Sequence, residues 1–133
     1  MGDLLTLRQH NLPVKVIVFK NDALAFVELE MKAAGIVDFA TNLHNPDFAK
    51  IAQGAGVLGL SAKTSDDVPI MLKRALDFEG PVLLEVPVPR QELSMPPTIS
   101  CDQAKGFGLF MIKAVLNGRA DEIVDLAKVN AFR

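Results

Sequence analysis

The chain has 133 residues, half of them hydrophobic and 23% charged, with a formal net charge of −2. That is enough for a globular domain with a real core, and its evenly spread charge offers no basic stripe or zinc-finger spacing for nucleic acid. One cysteine, Cys101, excludes an intrachain disulfide and fits a reducing compartment. No apolar run nears the roughly 18 residues of a membrane span. Asp3 comes early with no apolar run behind it, so no signal peptide is read and the cytoplasm is expected.

In chain order, residues 3–11 read as a short helix, with Leu4, Leu5 and Leu7 clustered and Asn11 as its stop. Pro13 breaks it. Residues 14–19 read as a strand, apolar at nearly every position, as a parallel strand covered on both faces would be. Residues 24–34 have helical spacing, with Phe26, Val27 and Met31 on one face, and Gly35 ends them. Residues 36–46 are loop-like. Asp47 is placed to cap a helix through residue 54, with Phe48, Ile51 and Ala52 inward. Residues 57–61 form a short strand. The next helix opens at Thr64 or Ser65, tolerates Pro69 in its first turn and buries Val68, Met71, Leu72, Ala75 and Leu76. Gly80-Pro81 stops it before a third strand over 82–88. Pro87, Pro89, Pro96 and Pro97 make 89–101 an extended connector. Two helices follow, 102–117 and 121–129.

This order predicts an α/β fold: a partial doubly wound parallel sheet of about three strands, flanked by helices, with a two-helix C-terminal tail. Such a sheet is small for its class, which implies either a piece of a larger polypeptide or a protomer that covers an open edge with a partner. The expected division is an incomplete domain over 1–91 and a connector with an amphipathic helical tail over 92–133.

In open parallel sheets ligands sit beyond the carboxyl ends of the strands. Asn21 and Asp22 stand there, and an amide oxygen with a turn carbonyl two residues on suits a hard cation such as Mg²⁺. The same dipeptide is also a common turn signal. His10 and His44 have no acidic or cysteine partner at ligand spacing. Glu28 and Lys32 read as an ordinary surface pair at i,i+4. Gly54, Gly56 and Gly59 are spaced like a phosphate loop but precede a strand, so the dinucleotide fingerprint fails its context.

The segments "LPVKVIVFKNDALAFVELEMKAAG", "LHNPDFAKIAQGAGVLGLSAK" and "GPVLLEVPV" resemble the diphosphate-binding domain of thiamine-diphosphate enzymes. Bacterial pyruvate oxidase, including the quinone-linked pyruvate dehydrogenase, is the subgroup most resembled, and "PPTISCDQAKGFGLFMIKAVLNGRADEIVDLAKVNAFR" looks like its carboxyl-terminal region. The tail discriminates more than the core, because acetolactate synthase and benzoylformate decarboxylase relatives share the core pattern.

The family's cofactor motif begins Gly-Asp-Gly and ends in Asn-Asn after a strand; its Asp and last Asn hold Mg²⁺, which grips thiamine diphosphate. The resemblance therefore makes Asn21 the side-chain metal ligand and Ala23 a carbonyl ligand. It makes Asn21, Asp22, Ala23, Leu24, Ala25 and Phe26 cofactor-binding residues, with 22–26 lining the cofactor. Lys20 departs from the usual first Asn and Ala25 from a common glycine. "MGDLLTL" aligns just after Gly-Asp-Gly, and Gly2-Asp3 is not that motif, because it lies too near Asn21 and starts a helix. The first metal ligand, the cofactor-activating glutamate and the FAD domain are all expected elsewhere. The resemblance implies a C-terminal piece of a thiamine-diphosphate- and flavin-dependent pyruvate oxidase, inactive alone, whose catalytic residues this chain does not reveal.

The tail carries Phe107, Phe110, Met111, Ala114 and Val115 on one face, widened by Leu109, Ile112 and Leu116. Such a helix either packs on its own domain or lies in a membrane interface. The resemblance to the quinone-linked relatives, whose tail covers the active site and moves out to bind membrane on activation, implies a protein peripheral on the inner face of the membrane. The partners implied are the N-terminal domains or a homo-oligomer partner, and a membrane surface through 102–133. Two alternatives stand beside this: a non-catalytic module that binds membrane or self-associates through its tail, and an acetolactate synthase-like fragment.

Overall fold

A computed structural model of the chain describes residues 2–90 and 100–130. Most of the expected connector lies outside the described residues. The elements are α1 (Gly2–Gln9), β1 (Lys15–Lys20), α2 (Ala25–Ala33), α3 (Phe48–Gly54), β2 (Leu58–Ser61), α4 (Asp67–Asp77), β3 (Val82–Pro87), α5 (Cys101–Leu116) and α6 (Ala120–Asn130). The strands form one parallel sheet in the order β1-β3-β2, which is the expected fold class.

The chain forms two compact units, Met1–Asn21 with His44–Val88 and Asp22–Leu43 with Pro89–Arg133. These do not follow the 1–91 and 92–133 division: α2 groups with the C-terminal helices and not with the sheet.

The first unit is built around β3, whose Val82, Leu83, Leu84, Glu85 and Val86 are all buried. Alternate side chains of a strand point to opposite faces. Val82, Leu84 and Val86 join Leu60 and Ala75 on one face, backed by Val68, Met71 and Leu72 of α4. Leu83 joins Leu4, Ala52 and Val57 on the other, with Val16, Val18 and Phe48 packed alongside. Asp47 caps α3 as expected, accepting from the Lys50 amide at 2.8 Å. Gly59 lets α3 rest on the backbone of β2: a Cβ there would lie 2.0 Å from the Ala49 carbonyl oxygen.

Three expectations for this unit change. β1 is an edge strand beside β3, and α4 packs on β3 and β2, so Phe19 is 70% exposed and β1 is not covered on both faces. Leu76 is exposed, because the buried stripe of α4 runs through Ala75. The helix predicted from Thr64 begins regularly at Asp67. Thr64 and Asp67 nonetheless exchange bonds across the turn, with the Thr64 amide donating to Asp67 Oδ2 at 2.9 Å and the Asp67 amide to Thr64 Oγ1 at 3.3 Å.

In the second unit α5 packs on α2. Ser100 and Gln103 form a capping box at the start of α5. Phe110 and Ala114 are its buried residues. The predicted face is narrower than the sequence suggests: Met111 and Val115 are exposed, as are Ile112 and Leu116. The reason is the contact itself, which runs through small residues. At Gly106 a Cβ would lie 1.8 Å from the Ala33 carbonyl oxygen, so the helix backbones touch without a side chain between them. Lys113 Nζ donates to the Gly35 carbonyl at 2.9 Å, beyond the C-terminus of α2.

Candidate functional site

β1 and β3 run parallel and end together, Lys20 opposite Pro87. Asn21 follows directly, half-buried, at the carboxyl end of the sheet, which is where the sequence reading put it. Lys20, standing where the family motif has its first Asn, forms a 3.8 Å ion pair with Glu85 of β3. Glu85 is buried and also accepts from the Phe48 amide at 2.9 Å, so it ties the sheet to the N-terminus of α3.

At Asp22 the backbone enters the left-handed region, φ 53. Asp tolerates this conformation better than most residues, and it turns the chain away from the strand. Ala23 then pairs antiparallel with Asn42. The Leu24 amide donates to the Thr41 carbonyl at 2.8 Å, and the Leu43 amide to the Asp22 carbonyl at 2.9 Å. Ala25 opens α2. Ala23 is buried and Ala25 half-buried, whereas Leu24 and Phe26 are exposed. Leu24 sits at the N-cap without a capping side chain, so the first turn of α2 has no side-chain acceptor from its cap.

The second unit holds a charge cluster that the sequence reading missed. Glu28 and Lys32, expected on the surface, are 3% and 2% exposed and paired at 2.6 Å. α2 buries this charged stripe and exposes Phe26 and Val27. Lys32 Nζ lies 5.4 Å from the centre of the Phe110 ring, a cation–π contact. Arg90 donates to Glu28 Oε2 from Nε at 3.0 Å and from Nη2 at 2.9 Å. It also donates to Asn42 Oδ1 and, at 3.3 Å, to Thr41 Oγ1. Asp38 lies 2.7 Å from Arg119 and 3.6 Å from Arg90. The i,i+4 spacing of Glu28 and Lys32 was the one signal available, and it fits a surface pair equally well.

Burial raises the pKa of Asp38, but the hydrogen bond from Arg119 and the charges of Arg119 and Lys32 outweigh it and hold the carboxyl below its ordinary range. A carboxylate depressed on folding contributes stability above its unfolded pKa and loses it as pH falls through the folded one. The second unit should therefore keep this contribution at neutral pH and lose it progressively below about pH 4. Urea unfolding followed by circular dichroism between about pH 2 and 6 should show a shallower acid limb in Asp38→Asn than in the wild type.

Asn21 offers an amide oxygen and Ala23 a carbonyl, hard donors of the kind Mg²⁺ takes. Among the described residues no three His, Cys, Asp or Glu side chains are grouped as a metal site of their own would require. The family model described as thiamine pyrophosphate enzyme, C-terminal TPP binding domain, matches residues 1–86.

The chain belongs to the thiamine pyrophosphate enzyme family.

The match to this thiamine pyrophosphate enzyme domain takes in the whole 21–26 segment, together with α1, β2 and α4. Among similar proteins is Bacillus subtilis YdaP, which its name calls thiamine pyrophosphate-containing, 30% identical across 96% of this chain and 22% of its own length. The mitochondrial acetolactate synthase of Schizosaccharomyces pombe is 30% identical across 71% of this chain and 14% of its own. Acetolactate synthase 2 of Zea mays, chloroplastic, is 34% identical across 71% and 16%. The chain thus spans about a fifth or less of each relative.

Proposed function

We propose that this region belongs to a thiamine-diphosphate- and flavin-dependent pyruvate oxidase. The whole enzyme would convert pyruvate to CO₂ and acetate or acetyl phosphate, passing electrons through FAD to quinone or oxygen. Pyruvate and flavin in this reading rest on the resemblance of the sequence segments, and the observation that favours it over an acetolactate synthase is the length of the YdaP match. At 96% of the chain it runs through α5 and α6, whereas the acetolactate synthases match 71%. In this reading Asn21 Oδ1 and the Ala23 carbonyl bind Mg²⁺. Asp22, Leu24, Ala25 and Phe26 line the diphosphate, which the uncapped first turn of α2 suits. When bound, thiamine diphosphate supplies the carbanion chemistry. This chain's residues bind and orient it.

Two oxygens are too few for tight Mg²⁺ binding. Calorimetric titration of the 133-residue chain with Mg²⁺ and thiamine diphosphate should give a Kd no tighter than about millimolar, roughly −4 kcal/mol. Micromolar binding would mean that the half-site suffices and would overturn this account. In the enzyme of which this region is part, pyruvate should reduce an artificial electron acceptor. Acetolactate as product would assign the region to the synthases instead.

A second reading is favoured by one observation, the exposed apolar row of Leu109, Ile112, Val115 and Leu116 along α5. It makes the tail a surface for membrane or self-association, with the protein cytoplasmic or peripheral at the inner membrane face. No helix among the described residues is long and apolar enough to cross a membrane. Flotation with phosphatidylglycerol-containing vesicles should be lost in Ile112→Asp/Leu116→Asp, which spares the buried Phe110 and Ala114. Equal flotation of both proteins removes the membrane version, and a monomer at high concentration by light scattering removes self-association.

A further inference from the structure

We propose that Arg90 is a positioning residue for the Asp22–Ala23 turn, acting through residues 41 and 42; the proposal rests on the reading that the Ala23 carbonyl is a metal ligand. All the groups involved lie in the second unit. Arg90 stands just beyond β3, and its side chain is 33% exposed. All three of its guanidinium nitrogens donate. Nε and Nη2 grip Glu28 Oε2, Nη2 reaches Thr41 Oγ1 and lies near Asp38, and Nη1 donates to Asn42 Oδ1. Glu28 is itself fixed by Lys32 within α2.

Two of the residues it holds, Thr41 and Asn42, make up the short segment that pairs with the turn. Thr41 supplies the carbonyl that receives the Leu24 amide, and Asn42 sits opposite Ala23. Arg90 therefore clamps that segment to the rigid helix α2, and the segment in turn sets the direction of the backbone at Ala23. Only a planar fork with donors on three nitrogens can reach a carboxylate, a hydroxyl and an amide at once; an ammonium is a single point. A lysine at 90 would keep the attraction to Glu28 and lose the reach to residues 41 and 42.

The test uses the 133-residue chain, labelled with ¹⁵N, as wild type, Arg90→Lys, Arg90→Ala and Asn42→Ala. Hydrogen exchange is read at the Leu24 and Leu43 amides, which make the two bonds flanking Ala23, and at Val57, in the first unit, as a reference. In Arg90→Lys and Asn42→Ala, Leu24 and Leu43 should exchange about tenfold faster, the scale of one charge-assisted hydrogen bond, with Val57 unchanged. If Arg90→Ala unfolds the second unit, these two milder variants decide. Wild-type exchange at Leu24 and Leu43 in both of them would overturn the proposal, because Arg90 would then merely neutralise Glu28.

A second arm adds millimolar Mg²⁺ and thiamine diphosphate and follows the amide shifts over 22–26. Wild-type shifts that shrink in Arg90→Lys, at unchanged urea stability, support positioning over a structural role. Absence of any shift in the wild type would sink the cofactor reading, while the exchange result would still decide whether Arg90 orders the turn.

Discussion

Glu28→Ala should destabilise the second unit by about 3–5 kcal/mol, the usual consequence of removing one partner from a buried ion pair. Glu28 is 3% exposed and answers two cations, Lys32 at 2.6 Å and Arg90 at 2.9 Å. Without it Lys32, at 2% exposure, loses a carboxylate at 2.6 Å, and the Phe110 ring and the charge of Asp38 offset only part of that loss. Replacing both groups is a different matter. Glu28→Leu with Lys32→Met puts apolar volume where the pair was, and it should recover most of the loss, because buried pairs exchange for apolar packing at little net cost. The chain has no Trp or Tyr, so unfolding is followed by circular dichroism at 222 nm, with amide exchange to assign the loss to the second unit. A single-variant loss below about 1 kcal/mol would mean that the pair behaves as a surface pair.

Gly106→Ala and Gly108→Ala should move stability in opposite directions. In a helix Ala is favoured over Gly by about 1 kcal/mol, so both changes help on propensity alone. At Gly108 nothing lies within 4 Å of the added Cβ, and the gain should appear in full. At Gly106 the same atom would sit 1.8 Å from the Ala33 carbonyl oxygen and 2.7 Å from its carbon. Both are backbone atoms, and the Gly35 amide nitrogen lies 3.2 Å from the same position, so α5 itself must shift off α2. A net loss of about 1–3 kcal/mol is expected. Urea midpoints of the two variants measured side by side check it, and a stabilised Gly106→Ala would show that α5 does not dock as described.

Some of this was legible because the physics is local. β3 announces itself as an apolar run between Gly80-Pro81 and Pro87, interrupted at Glu85, and Asp47 announces a cap, since each depends on its neighbours in sequence. Asn21 at a strand end could be placed for the same reason. Whether β1 lies at the edge or the centre depends on which strands pair, and nothing within residues 15–20 encodes that. The partners of Glu28 and Lys32 are equally remote. Arg90 is far down the chain, and the helix face that buries them carries the charges instead of the apolar residues, so a hydrophobic stripe points the wrong way. The pairing of Ala23 with Asn42 was hidden because a single bridge in an irregular segment has no periodicity to read.

The interleaving of the two units has a consequence for the order of assembly. β2, α4 and β3 follow one another closely and can join as they are synthesised. α2 emerges before them and waits: Glu28 meets Arg90 across 62 positions, Gly35 meets Lys113 across 78, and Asp38 meets Arg119 across 81. Contacts of such long separation close late. On the ribosome, then, residues 41–43 can meet the nascent turn at Asp22–Ala23 early, whereas the guanidinium that ties them to α2 arrives only once Arg90 has left the exit tunnel.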